Sequence, residues 1–266
     1  MDKGILKYED SEVHFLRFGK GNRLLIALHG FADEASLFLK LEESLKETYT
    51  VYCIDLPFHG LTQWNKKVFD RKDISAIFKM ILTKENKERF DLMGFSLGGR
   101  IVLKMLFEWI PQVDKFYLIA PDGLDTKWLS KVNLIPGWMK SFLQWILSNP
   151  GWVIIMVKRF YHWRLINRFT HNFVCYHIHT KENRNRLFGS WHSLGYFDIK
   201  PRKVKSLLKK YSVTIDMYFG THDEVIPVSA AALLSTDMPN VRVFEIEGGH
   251  LLVNKKLNDL LKIQLH

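Results

Sequence analysis

Asp91-Leu92-Met93-Gly94-Phe95-Ser96-Leu97-Gly98-Gly99-Arg100 decides how the rest of this chain is read. Its first five residues have the length and apolar character of a strand, and from Ser96 to Trp109 apolar side chains recur at helical spacing. Between strand and helix stands a Gly-x-Ser-x-Gly sequence. A serine hydroxyl is a weak nucleophile. A sharp strand-to-helix turn lifts it clear of the strand end above a helix N-terminus, and glycines at 94 and 98 leave room for the tight backbone. Ser96 is therefore the candidate nucleophile, on a nucleophile elbow. Stripped of its flanks, the same pentapeptide would read as a glycine-rich helix start with a capping serine.

Outward from this point, short β-rich runs alternate with helix-length stretches. The runs are Val13 to Phe18, Arg23 to His29, Thr50 to Asp55, Phe90 to Phe95, Lys115 to Ala120, Val213 to Phe219 and Val241 to Ile246. Helical spacing recurs over Ala35 to Thr48 and Arg71 to Lys84. The alternation predicts an α/β protein with a mostly parallel, doubly wound sheet. Leu24 to Leu28 and Phe116 to Ala120 are unbroken apolar runs, as strands buried on both faces require, and belong near the sheet centre.

Strand ends supply the other candidate groups. His29-Gly30-Phe31 closes the first apolar run, and a developing oxyanion needs two fixed N–H donors. Phe31 and Leu97, the residue after the nucleophile, are placed to supply the oxyanion hole. Of eleven histidines, His250 is singled out by Glu247-Gly248-Gly249-His250, directly after a strand. It is the candidate general base. Asp223, in Gly220-Thr221-His222-Asp223-Glu224-Val225-Ile226-Pro227, also follows a strand and is the candidate acid that orients the base. The chain order Ser, Asp, His is the one a nucleophile elbow requires for its catalytic triad. Asp122, in Ala120-Pro121-Asp122-Gly123, ends a strand too and is the competing acid, in a weaker context. Asp55 and His59 read as holding a turn, and His222 as an exposed loop histidine. His177 and His179 lack companions at ligand spacing, so neither a metal nor another cofactor is expected. Cys53 and Cys175 read as buried thiols, since two cysteines so far apart in sequence make no disulfide framework.

On these motifs the chain resembles the α/β-hydrolase superfamily, close to its small capped esterases and to the menaquinone-pathway synthase. The resemblance is carried by His29-Gly30-Phe31, by Asp55-Leu56-Pro57-Phe58-His59-Gly60, by Gly94 to Gly99, and by Gly220, Asp223 and Pro227 with Gly249-His250. Phe58 departs from the pattern, standing where relatives carry glycine. The resemblance implies the α/β-hydrolase fold, with a core of residues 1–123 and 212–266 and a helical cap or lid inserted at 124–211. It implies a serine esterase that cleaves a carboxylic ester or thioester through an acyl-enzyme. Two alternatives stand beside it: a carbon–carbon lyase or hydrolase of an acidic small metabolite on the same triad, and a ligand-binding protein without turnover. Serine rather than aspartate at position 96 argues against dehalogenase and epoxide-hydrolase chemistry.

Composition limits the setting. A chain of 266 residues, 47% apolar, can build one large core. The opening MDKGILKYEDSEVHF lacks the apolar run of a secretory leader, which places the expected location in the cytoplasm. The net charge of +10 is concentrated: Leu124 to Tyr211 holds sixteen Lys and Arg against three acids, leaving 22 bases and 25 acids elsewhere. Six of the eight tryptophans, Trp128, Trp138, Trp145, Trp152, Trp163 and Trp191, lie in that segment. Trp138 to Val157 is long enough to cross a bilayer, but Lys140, Gln144, Asn149 and Pro150-Gly151 interrupt it, so two helices meeting at a turn are predicted. Aromatic and cationic side chains together suit a lid lying peripherally on the anionic inner membrane surface and admitting an acyl-lipid ester. The same charge would also bind an acidic small substrate, or form a solvated basic face. No groove-reading motif accompanies it, so nucleic acid is not an expected partner.

Overall fold

The computed structural model describes residues 1–124 and 150–265. Eight strands form one sheet: β1 (Asp2–Tyr8), β2 (Ser11–Phe18), β3 (Arg23–Leu28), β4 (Tyr49–Ile54), β5 (Phe90–Phe95), β6 (Val113–Ile119), β7 (Thr214–Gly220) and β8 (Val241–Ile246). Their order is β1-β2-β4-β3-β5-β6-β7-β8. β2 runs antiparallel to β1 and β4, and every pairing from β4 across to β8 is parallel. The chain steps from β3 to β4 in one direction, then returns to place β5 on the other side of β3. That reversal opens a crevice at the carboxyl ends of β3 and β5, the place where ligands bind in open α/β sheets.

The period-two alternation of strand side chains divides the core. Leu24, Ile26 and Leu28 of β3 pack in one apolar cluster, with Ile77, Phe78, Ile101 and Phe116. Leu25 and Ala27 pack in another, with Phe38, Leu45, Met93 and Leu257. Each large apolar side chain taken fully from water contributes roughly 1.5–3 kcal/mol. Helix α1 (Arg71–Glu85) begins at a reciprocal cap: the Asp70 carboxylate accepts from the Asp73 N–H while the Asp73 carboxylate accepts from the Asp70 N–H. It stops at Asn86, which turns left-handed at φ 50°. Helix α2 (Leu97–Trp109) follows β5 without a spacer residue beyond Ser96.

Two departures from the sequence reading have physical causes. β1 escaped it because only Leu6 of that strand is buried, so little apolar periodicity marks this edge hairpin. The predicted helix over Ala35 to Thr48 is instead a 3₁₀ segment, Ala35–Leu41, followed by a short α turn, Glu42–Leu45. Ala35, Phe38 and Leu41 are spaced by three and are all buried, which the three-residue period of a 3₁₀ helix places on one face. One compact unit comprises Met1–Asp125 and Ser193–His266, the other Thr126–His192. In the stretch after Ser193, Phe197, Ile199, Val204 and Leu208 belong to the apolar cluster of the sheet unit. Its helix, α6 (Pro201–Lys210), is basic on one side and apolar on the other, and a charge count senses only the basic side.

In the second unit the described helices are α3 (Pro150–His162), α4 (Arg168–His179) and α5 (Lys181–Leu194), the last running past the division at His192. Pro150 begins α3, a position where its missing N–H costs nothing. Trp128, Trp138, Trp145 and the predicted helix before Pro150 lie outside the described residues. Among the described residues no helix is long and apolar enough to cross a membrane. Cys53 is buried, whereas Cys175, expected buried, is half-buried on α4.

Candidate active site

β5 delivers Ser96 into a backbone conformation that most side chains avoid, φ 50° and ψ −111°. Such a conformation costs on the order of 1–3 kcal/mol and persists only where the surroundings hold it. Here the Ser96 N–H donates to the Ile119 carbonyl at 2.9 Å, and the Ser96 carbonyl accepts from the N–H groups of Arg100 at 3.1 Å and Asp122 at 3.0 Å. Gly98 is required by close approach: its N–H donates to the His29 carbonyl, and a Cβ there would run into the Leu28 carbonyl oxygen. The elbow is thus lashed to both neighbouring strands.

β7 and β8 are adjacent, so the loops that follow them emerge side by side. The His222 N–H donates to the Gly248 carbonyl at 2.9 Å and ties those loops together. One loop carries Asp223 and the other His250. Across the gap, His250 Nε2 lies 3.0 Å from Ser96 Oγ, and His250 Nδ1 lies 2.8 Å from Asp223 Oδ2. The remaining oxygen of Asp223, Oδ1, accepts from the N–H groups of Val225 and Ile226, each at 2.8 Å. An ionised carboxylate can only accept, so Nδ1 of His250 carries the proton and Nε2 presents its lone pair to the Ser96 hydroxyl. Asp223 is 6% exposed, which removes competing water from this acid. The imidazole rests beside the Phe95 ring, with centroids 5.3 Å apart.

The loop after β3 is fixed with comparable thoroughness. His29 is fully buried; its Nδ1–H donates to the Gly30 carbonyl at 2.7 Å and its Nε2 accepts from the Leu56 N–H at 3.0 Å, which defines a neutral tautomer. Asp55 acts as a hub. Its Oδ1 accepts from the Ala35 N–H at 2.6 Å, while Oδ2 accepts from the Leu61 N–H at 2.9 Å and meets His14 Nδ1 at 2.7 Å. His59 Nδ1–H donates to the Pro57 carbonyl in the same turn. Phe31 leaves this anchored loop, and Leu97 opens α2, where the first N–H groups of a helix lack intrahelical partners. Phe58 adopts φ 68°, a left-handed conformation that favours glycine, and its ring lies 6.3 Å from that of Phe69.

The competing acid is engaged elsewhere. Asp122 receives two hydrogen bonds of 2.9 Å from the guanidinium of Arg100, which is 1% exposed. Arg100 and Asp122 were not read from sequence as a pair. The available signal was a charged residue in an otherwise apolar helix face, followed by an acid at the end of the next strand. Asp33 was also passed over: burial pushes its carboxyl above the ordinary range, opposed by the charge of Lys40. His177 is buried and His179 exposed, so the two do not present to a common ligand. Burial, together with the charge of Arg186, holds His177 below its ordinary pKa. His222 is exposed, as read, with Thr221 Oγ1 3.0 Å from its Nδ1.

A family model described as the alpha/beta hydrolase fold matches residues 23–253. The chain is 23% identical over 253 residues to monoacylglycerol lipase ABHD6 of Homo sapiens, an alignment covering 90% of this chain and 73% of that protein. It is 23% identical over 233 residues to the pimeloyl-[acyl-carrier protein] methyl ester esterase of Legionella pneumophila, covering 86% and 87%. Among solved structures, the alpha/beta hydrolase MGS-M2 from a deep-sea metagenome library aligns with a TM-score of 0.69 at 13% identity, covering 98% of this chain and 95% of that one.

Proposed function

The chain belongs to the alpha/beta hydrolase fold family and is a hydrolase, and from that premise we propose that it is a serine esterase in which Ser96, His250 and Asp223 form an acyl-transfer triad. One observation carries the reading: a single imidazole lies within hydrogen-bond distance of a strained serine hydroxyl on one side and a buried carboxylate on the other. In the reaction, Ser96 Oγ attacks the ester carbonyl as His250 Nε2 takes its proton, and Asp223 stabilises the imidazolium. The amides of Phe31 and Leu97 receive the oxyanion. Collapse expels the alcohol, protonated by His250, and leaves an acyl group on Ser96. Water activated by the same imidazole then releases the acid.

The substrate is a carboxylic ester or thioester with an acyl chain, and an acyl lipid fits best. Support comes from two relatives whose names specify acyl esters, one a monoacylglycerol and one a pimeloyl methyl ester. By its place in the chain between β6 and β7, Thr126–His192 corresponds to the cap insertion of this reading. Nitrophenyl esters from acetate to palmitate test the proposal. A rapid burst of nitrophenol, followed by slower turnover and a preference for medium or long chains, is expected. Hydrolysis without a burst would remove the acyl-enzyme as an accumulating species, and a strict preference for acetate would remove the acyl-lipid substrate.

A further inference from the structure

The two compact units differ sharply in charge. Thr126–His192 contains ten Lys and Arg against one acid, Glu182, while the rest of the chain holds 28 against 27. From Thr126 to Lys181 there is no acid at all. Like charges confined to so small a unit repel one another, and an external anionic partner relieves that repulsion.

The hairpin of α3 and α4 gives this charge a shape. The turn joining the helices is built by hydrogen bonds from the Arg164 N–H to the Tyr161 carbonyl at 3.0 Å and from the Leu165 N–H to the Phe160 carbonyl at 2.9 Å. Asn167 Oδ1 accepts from the Thr170 N–H and caps α4. On this tip Tyr161, Trp163 and Leu165 are 40%, 59% and 67% exposed. Trp152 and Ile155, spaced by three on α3, are exposed to a similar degree. An open cleft of about 740 Å³ lies at the same tip, lined by Lys158, His162, Arg164 and His171 with Tyr161 and Asn167 among its walls. Its lining holds two fixed cations and no acid.

We propose that this hairpin tip docks the protein on an anionic phospholipid bilayer, with Trp163 and Leu165 entering the headgroup region and the Lys158–Arg164 cleft receiving a lipid phosphate. Tryptophan and tyrosine combine an apolar body with a polar edge, which suits the boundary between water and acyl chains. Lysine and arginine supply the electrostatic attraction that a negatively charged leaflet rewards. Apolar and cationic groups adjoin on one tip, and that adjacency favours a bilayer over a duplex nucleic acid, which has phosphate but no place for exposed Leu165 and Ile155. None of the docking residues belongs to the triad, so the inference rests on the esterase reading only for its purpose, which is to hold the protein where acyl lipids are found.

The test is co-sedimentation of the 266-residue chain carrying Ser96→Ala with phosphatidylcholine vesicles, with and without phosphatidylglycerol, over a salt series. Because that variant cannot turn over by the proposed chemistry, failure of docking and failure of the esterase reading are separable. Binding to the anionic vesicles that weakens as salt rises, with little binding to neutral ones, is expected. Adding Lys158→Ala and Arg164→Ala should weaken binding roughly thirtyfold. Adding Trp163→Ala and Leu165→Ala instead should abolish the fraction that survives high salt. All these side chains are surface-exposed, and circular dichroism melts should be unchanged. Equal binding to neutral and anionic vesicles, binding unaffected by both pairs of substitutions, or retention only by inorganic phosphate or duplex DNA would overturn the proposal.

Discussion

The two ends of β5 both hold charge away from water, and they use it in opposite ways. At the carboxyl end, Ser96 stands beside a histidine and a carboxylate whose every hydrogen bond fixes an orientation. At the amino end, Asp91 is 1% exposed and receives a 2.6 Å hydrogen bond from Arg23. Burial pushes the Asp91 carboxyl up to about 6, with Tyr49 and Arg23 pulling it back. A similar arrangement lies nearby, where Asp216 is held by Arg242 through two hydrogen bonds and by Lys115 at 2.9 Å. The amino end therefore binds strands together through ion pairs whose identity chemistry does not dictate. The carboxyl end brings a serine, a histidine and a carboxylate into one chain of hydrogen bonds. Charge burial alone does not mark a site; convergence on a nucleophile does.

The largest expected effect sets the two candidate acids against each other. Asp223→Asn should lower kcat on a nitrophenyl ester by roughly 10⁴-fold, because an amide no longer holds His250 in the right tautomer. Asp122→Asn should lower it by no more than about tenfold, since its carboxylate meets Arg100 and touches no triad atom. Equal losses would erase the distinction.

Arg100→Met comes next. It removes the partner of a partly buried carboxylate and should cost about 3 kcal/mol in denaturant unfolding, with a smaller fall in activity as the Ser96 carbonyl loosens. A cost under about 1 kcal/mol would show that the pair does not brace the elbow.

At the amino end, the prediction concerns pH. The folded-state pKa of Asp91 lies above its unfolded value, so its contribution to stability is fully present below about pH 4 and lost as pH rises through about 6. Asp91→Asn should remove that dependence, and the stability difference between variant and parent should shift by about 2–3 kcal/mol in favour of the variant between pH 4 and 7. Urea melts at a series of pH values would reveal a flat difference if burial does not govern this group.

The smallest effect is expected at Phe58→Gly. Relief of a left-handed conformation opposes loss of ring packing, and the two should leave stability changed by no more than about 1 kcal/mol. A loss of several kcal/mol would mean that the ring, not the turn, sets the local structure.

What was legible in the sequence followed from constraint. Gly98 is nearly irreplaceable where its backbone meets Leu28, and β3 must be apolar on both faces, so the elbow and the central strands announce themselves. Asp223 and His250 could be singled out as candidates because each follows a strand whose end loop lies beside Ser96. Residues bound by long-range pairing could not. Arg100 looks like any helical arginine until Asp122 is brought beside it, and Arg23, Asp91 and Tyr49 stand at the amino ends of three different strands. Val204 and Leu208 were hard to read as core because they form a narrow apolar stripe on a helix otherwise filled with lysine and arginine.

The central claim is that one serine among all those in the chain is reactive. Treating the folded protein with a fluorophosphonate and locating the adduct by peptide mass spectrometry tests it most directly. The account predicts one adduct, on the peptide carrying Ser96, absent in Ser96→Ala, slowed severely in Asp223→Asn and nearly unchanged in Asp122→Asn. No adduct on folded protein, or an adduct on another residue that persists in Ser96→Ala, would contradict it.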